Sequence, residues 1–294
     1  MDYDDPNYSG QGFNAQGGCL RLAAGGVIIL IALIGYYGKS QINPVTGEAQ
    51  HISLSVPQEI SLGLQSTPSM MAEMGGEVSP GDPLAQLVTH IGTRVHDNSD
   101  ARLSQYPFKF HLLNDNQTVN AFALPGGQIF ITKALLVRLG NEAQLAGVLG
   151  HEIGHVINRH AAVHMEKGKL GEAITRGVYV ATSDHGQGAA LVTQQMNSLI
   201  QLGFSRSDES QADEFGFKYM AQAGYDPREM LGVMEVLKQL SASGRQPELL
   251  TTHPYPEHRI ERINALLKEH YPNGVPGNLT KGAPIRRAEA VPYR

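Results

Sequence analysis

Apolar and polar positions follow three different patterns along this chain. Leu22 to Tyr37 (LAAGGVIILIALIGYY) carries no charged residue, so it offers no polar face. At 1.5 Å per residue these 16 positions span about 24 Å, somewhat short of a bilayer core of about 30 Å. Extension through Gly38, with Tyr36 and Tyr37 at the interface, brings a span within reach. A single transmembrane anchor at 22–38 is the leading reading. A cleaved signal peptide would want a basic leader and small residues before the cut. A buried core helix is the third reading. Arg21 and Lys39 flank the run one to one, so charge barely orients it.

From Ser55 the apolar residues recur at helical spacing. Ser55, Pro57 and Gln58 form a helix start, and the helix is expected to stop at Gly75-Gly76. Asp82-Pro83 opens a second helix with Leu84, Leu87, Val88, Ile91 and Val95 on one face. The period then drops to two. Phe108, Phe110 and Leu112 alternate with Lys109 and His111, a strand pattern. Val119–Leu124 and Gln128–Thr132, joined at Pro125-Gly126-Gly127, predict a hairpin. Beyond Lys133 the pattern is helical almost to Leu267. Residues 1–20 look like a disordered tail, 39–56 like a polar linker, and the Pro/Gly-rich 271–294 like a flexible tail.

Composition narrows the chemistry. The net charge of −5 and the lack of a basic stripe give no reason to expect nucleic acid. Cys19 is the single cysteine, so thiolates cannot hold a metal and no intrachain disulfide forms. Within a helix capped by Asn141, however, stands His151-Glu152-Ile153-Gly154-His155. Histidines four apart share a helix face, and both imidazoles can reach one Zn²⁺. Glu152 lies one step round, where it can reach a metal-bound water. This is the H-E-x-x-H arrangement of zinc peptidases, with the glutamate as general base. Leu145, Val148, Leu149 and Ile153 place this helix in the core. His160 and His164, nine residues beyond the pair, are expected on the opposite face as structural or surface groups.

A third ligand is best sought in SRSDESQAD at 205–213. Glu209 and Asp213 are one turn apart on a predicted helix. One can bind the metal while the other orients a ligand imidazole. By spacing alone Asp208 and Glu214 are alternatives.

Four segments together resemble the M48 family of membrane-linked zinc metallopeptidases, in its Oma1-like mitochondrial and periplasmic bacterial branch. They are NAFALPGGQIFIT at 120–132, HEIGHVINRH at 151–160, SRSDESQAD at 205–213 and TTHPYPEHRI at 251–260. The resemblance implies an α+β, mainly α-helical zincin domain of gluzincin type, with a small sheet or hairpin at the cleft edge. It implies one Zn²⁺ per chain on His151, His155 and Glu209. Asp213 would orient a ligand histidine, His151 the first choice. His253 would either stabilise the oxyanion or ligate zinc in a closed form. Arg206 and Arg259 would be structural ion-pair partners. Asn120, Ala121, Phe122 and Ala123 resemble the family's cleft-edge strand, where substrate adds as a further strand.

The expected layout is a tail at 1–21, an anchor at 22–38, and a linker with a helix at 39–80. The peptidase domain follows at 81–270 and a tail at 271–294. The expected activity is membrane-anchored peptide-bond hydrolysis through a zinc-activated water, with Glu152 as base. Protein or peptide substrates, misfolded ones among them, would suit quality control on the extracytoplasmic, periplasmic side. Multi-span relatives differ in having more than one span. Relatives with a helical-repeat module also differ, since 271–294 is too short for such repeats. Two other classes stay open: a latent or inactive zinc-binding scaffold, and a zinc hydrolase of non-peptide substrates. The donor set would also accept other divalent ions.

Overall fold

The uncharged run lies in a helix, α1 (Ala15–Tyr37), that begins upstream of Leu22. Its apolar window, Gly18–Tyr37, has 20 residues and a mean hydropathy of 2.2. That is about 30 Å of helix, the thickness of a bilayer's apolar core. Among the described residues it is the one helix long and apolar enough to cross a membrane. Leu22, Leu30, Ile31 and Ile34 are exposed, which goes against the buried-core alternative. The structure is a computed structural model that describes residues 15–182, 203–242, 244, 247–254 and 256–285.

The chain clusters into two units. Among the described residues, the first joins 15–39 with 166–182, and the second joins 40–165 with 203–285. In the first, α1 packs on the later part of a helix spanning His160–Thr182. Gly25 and Gly177 make the approach: a methyl on Gly25 would collide with the Gly177 carbonyl oxygen. Glu166 pairs with Lys39 at 3.4 Å and Lys169 at 3.3 Å.

The second unit is mainly helical with two small sheets. It opens with β1 (Gln41–Ile42) and β2 (Ala49–Gln50), an antiparallel pair. Next come α2 (Val56–Glu73) and α3 (Pro83–Asp97), then β3 (Lys109–Leu113), β4 (Ala121–Leu124) and β5 (Gln128–Thr132). The helices α4 (Lys133–Leu136), α5 (Glu142–Ile157) and the start of α6 (His160–Thr182) follow. The last are α7 (Arg206–Gln222), α8 (Glu229–Ala242), α9 (Leu249–Thr252) and α10 (Pro256–His270).

Caps fix three helix starts where the sequence places them. Gln58 Oε1 accepts from the Ser55 N–H at 2.8 Å, Asp82 Oδ1 from Leu84 N–H at 2.8 Å, and Asn141 Oδ1 from Gln144 N–H at 3.0 Å. The second sheet has the order β3-β5-β4, with β5 parallel to β3 and antiparallel to β4. All five residues of β5 are buried, as a central strand requires, while β4 lies at the edge. α3 presses on this sheet through Gly92, where any side chain would strike the Phe110 ring.

Two segments depart from the expected layout. The linker at 39–56 contains the β1–β2 hairpin, which closes off the end of α5. Asn43 Nδ2 donates to the Ile157 carbonyl and Gln50 Nε2 to the Asn158 carbonyl, both at 2.7 Å. These are end carbonyls that a helix cannot satisfy itself. The part of the expected tail from 271 to 285 is also packed. The Glu142 and Ala143 amides at the start of α5 donate to the carbonyls of Ala283 (3.1 Å) and Lys281 (2.9 Å). Ile285 is buried. Residues 1–14 and 286–294 lie outside the described residues.

Candidate metal centre

Glycine and alanine let two helices approach closely enough to build the site. Gly150 and Gly154 on α5 face Ala212 and Gly216 on α7. A methyl on Gly216 would sit 2.8 Å from His151 N, and one on Gly154 2.9 Å from the Ala212 carbonyl oxygen. At that separation a carboxylate in the first turns of α7 reaches an imidazole on α5. Here the side chains of His151, His155 and Glu209 converge, together with His253 just after α9. All four are buried.

The distances suit one tetrahedral ion. His151 Nε2 lies 3.0 Å from His155 Nε2 and 3.5 Å from Glu209 Oε2. His155 Nε2 is 3.4 Å from Glu209 Oε1. His253 Nδ1 is 3.2 Å from His151 Nε2 and 3.0 Å from Glu209 Oε1. A tetrahedron with bonds of 2.0–2.1 Å has edges of about 3.3–3.4 Å. The donor chemistry agrees: three imidazole nitrogens and a carboxylate face one another, an arrangement that a cation stabilises. The residues present therefore fit a divalent metal.

Supporting groups hold these donors in place. Asp213 Oδ1 lies 2.9 Å from His151 Nδ1 and accepts its proton, so that a neutral His151 directs its Nε2 lone pair at the centre. Arg259 donates to both Asp213 oxygens, from Nε at 2.9 Å and Nη2 at 2.6 Å, and its Nη1 stands 3.2 Å from Glu209 Oε2. The second histidine leans on His160, with Nδ1 atoms 2.9 Å apart, and on the Phe204 ring, with centroids 4.1 Å apart. Both oxygens of Glu152 are buried without a hydrogen bond, and His253 Nε2 is 3.6 Å from one of them.

Electrostatics make this a centre for positive charge. Burial and the Arg259 charge press on His151, but Asp213 and Glu209 outweigh them and raise its pKa to about 9. Burial pushes His155 well below its ordinary value, so it stands as a neutral donor. Burial works against ionising Glu209, yet His253 and Arg259 hold its carboxyl below the usual range. Arg259 and His151 do the same for Asp213 against its burial.

The sequence model of peptidase family M48 matches residues 84–267, which include every one of these groups. The chain belongs to peptidase family M48. That stretch is a metallopeptidase domain. Among M48 relatives, the beta-barrel assembly-enhancing protease of Escherichia coli (strain K12) is 33% identical over 226 residues, 74% of this chain and 45% of that protein. The mitochondrial metalloendopeptidase OMA1 of Saccharomyces cerevisiae is 28% identical over 246 residues, 79% of this chain and 70% of that protein. The mitochondrial metalloendopeptidase OMA1 of Danio rerio is 28% identical over 261 residues, 84% of this chain and 54% of that protein. The chain spans less than half the length of the bacterial relative.

The structure brings together His151, Glu152, His155, Glu209, Asp213 and His253 from the sequence reading. Of the carboxylates that spacing left open, Asp208 lies beside His164 at 3.0 Å and Glu214 pairs with Arg262 at 2.5 Å, both away from the four donors. Arg259 pairs with Asp213 next to the centre, and Arg206 stands at the start of α7. The edge strand β4 begins at Ala121, so Asn120 falls outside it. Both Asn120 backbone groups are taken by Thr132. The end of β4 lies close to the site: Ala123 and Leu124 line a small cleft together with His155 and Phe204.

His160 corrects the expectation of an opposite face. Counting nine residues at helical pitch assumes an unbroken helix, but α5 ends at Ile157 and Arg159 takes a left-handed φ of 57°. The turn brings His160 back against His155. Arg159 is stabilised there by a buried ion pair with Glu59 and by donating to the Leu54 carbonyl at 2.7 Å. Phe204 was not singled out from the sequence either, since nothing in its spacing marks it.

Proposed function

We propose that this chain is a zinc metalloendopeptidase of gluzincin type, held at a membrane by α1 and acting in protein quality control. One observation carries the reading most. A buried carboxylate without hydrogen bonds, Glu152, stands beside four convergent donors on a helix of an M48 domain. One Zn²⁺ per chain would be held by His151, His155 and Glu209. Bound there, it supplies a polarised scissile carbonyl and a water acidified towards a pKa of about 7.

The chain's own groups do the rest. Glu152 accepts a proton from the attacking water and delivers it to the leaving amine. With no hydrogen bond of their own, its oxygens are available for that proton. Asp213, braced by Arg259, keeps His151 in one tautomer and orientation. Substrate adds as a strand beside Ala121–Ala123 of β4, where backbone hydrogen bonds ask little of sequence. Recognition of that kind suits a protease that selects unfolded segments. The bacterial relative is named for β-barrel assembly, and a periplasmic position of this catalytic domain is the matching proposal.

A second reading, a latent zinc-binding protein, draws support from His253. Its Nδ1 stands where a catalytic site keeps an open position for water. Latency relieved by movement of His253 would unite the two readings.

The test is casein cleavage by the full chain in detergent, wild type beside Glu152→Gln, with zinc measured on both. Both should hold about one zinc per chain, and only the wild type should cut. Equal cutting by the two proteins would remove Glu152 from its role.

A further inference from the structure

Asp213 holds the first ligand imidazole with a carboxylate, whereas the second meets another imidazole. His155 Nδ1 faces His160 Nδ1 at 2.9 Å. Two bare nitrogens, or two protonated ones, would repel at that distance, so one proton lies between them. Which ring carries it follows from the other nitrogen of His155. That Nε2 points into the centre, 3.0 Å from His151 Nε2 and 3.4 Å from Glu209 Oε1. A ligand nitrogen must offer a lone pair. A neutral His155 therefore carries its proton on Nδ1 and donates it to His160.

The direction then runs on. His160 Nδ1 accepts, so its own proton sits on Nε2, which donates to Gln211 Oε1 at 3.0 Å. Asp208 does not replace this acceptor. Its Oδ1 is 3.8 Å from His160, beyond hydrogen-bond reach, and its Oδ2 accepts from the Ser205 hydroxyl at 2.7 Å and the Ser205 amide at 2.9 Å. With its oxygen towards His160, the Gln211 amide turns Nε2 to Glu48, 3.3 Å from each carboxylate oxygen. Turned over, that amide would set N–H against N–H at one end and oxygen against oxygen at the other. The three donors therefore all point away from the centre, towards Glu48.

Glu48 lies between β1 and β2. Its side chain is exposed, but its backbone is fixed: its N–H donates to Thr46 Oγ1 at 3.3 Å and its carbonyl accepts from the Asn43 amide at 2.8 Å. The same hairpin takes up the end carbonyls of α5 through Asn43 and Gln50. We infer that the β1–β2 hairpin belongs to the metal centre. Glu48 acts through Gln211 and His160 to keep the His155 proton on Nδ1 and its Nε2 turned to the metal. All three are positioning residues, and their role rests on the reading above that His155 binds zinc.

The test uses the full chain in detergent with isotope-labelled histidine. Long-range proton–nitrogen spectra of the zinc-loaded protein should show His160 protonated on Nε2, the signal being assigned by its loss in His160→Gln. Zinc affinity is read separately, by competitive chelator titration. His160→Phe keeps a ring and removes the acceptor. It should weaken zinc binding about tenfold or more, the usual effect of losing a group that supports a ligand. His160→Gln, whose amide oxygen can accept from His155, should recover most of that loss.

Two further variants leave His160 in place and carry the test if His160→Phe does not fold. Gln211→Leu should weaken zinc binding about fivefold, the worth of one net hydrogen bond. Glu48→Lys, a change at an exposed side chain, should turn the Gln211 amide over and move the His160 proton to Nδ1. A wild-type His160 protonated on Nδ1, or zinc affinity unchanged in every folded variant, overturns the positioning role and leaves the zinc peptidase standing. A wild type that holds no zinc overturns the zinc reading and this role with it. Weaker zinc binding in the variants, with no cleavage by the wild type, overturns the peptidase and supports the role.

Discussion

In the proposed reading, a single residue, His253, decides between chemistry and rest. Its Nδ1 completes a fourth corner with His151 Nε2 and Glu209 Oε1, at 3.2 and 3.0 Å. Its Nε2 is turned towards Glu152 and has no hydrogen bond. A side chain in that corner competes with water. His253→Ala should therefore lower zinc affinity and raise casein cleavage, read by a zinc-chelator titration and an initial-rate assay. A fall in rate with zinc content unchanged would assign His253 to the oxyanion instead. The sequence marked this histidine only through resemblance, because a loop histidine before Pro254 has no local signature. Once helical, His151 and His155 needed no such aid, since a separation of four fixes their shared face.

At the level of elements, the contact of α5 with α7 governs the site. Gly216 is the tightest point: a methyl there would lie 2.8 Å from His151 N and 3.1 Å from His151 Cα, both backbone atoms. Backbone cannot rotate away, so Gly216→Ala should push the helices apart. The expected cost is about 1–3 kcal/mol of stability, typical of overpacking, with weaker zinc binding in proportion. Urea unfolding of the metal-free protein and competitive zinc titration check the two effects separately. Element starts were legible because Ser55, Asp82 and Asn141 cap them by local chemistry. The end of α5 was not. Neither glycine nor proline marks the break at Asn158-Arg159. The left-handed Arg159 is held by Glu59, 100 positions away in sequence.

Across the whole molecule, buried carboxylates set the acid limit. Asp226 is desolvated, yet hydrogen bonds from Arg228 hold its carboxyl below the usual range. Glu229 is likewise held down against its burial by Lys281, Asn141 and Gln144. A folded pKa below the unfolded value contributes stability that is complete above about pH 4 and lost as pH falls through the lowered values. Chemical denaturation between pH 7 and 2 should show stability falling from about pH 4 downward. Neutralising Glu229 as Glu229→Gln should flatten that fall. A second expectation concerns α1. The full chain should sediment with membranes after alkaline carbonate washing, whereas a chain lacking residues 15–38 should not. Recovery of the shortened chain in the membrane pellet would assign attachment to another segment.

Local rules acting over a few residues were enough to determine much of this protein. Uncharged length gave the candidate membrane helix, period two gave the strands, caps gave helix starts, and a four-residue repeat gave two of the donors. These features depend on neighbours in sequence, and so can be read there. Tertiary structure alone decided the rest. Among Asp208, Glu209 and Glu214, the close crossing at Gly150, Gly154 and Gly216 selects Glu209. The broken helix returns His160 to the site, and a hairpin and a C-terminal segment close the two ends of α5. Each of these rests on contacts between distant segments, whose energies no local pattern records.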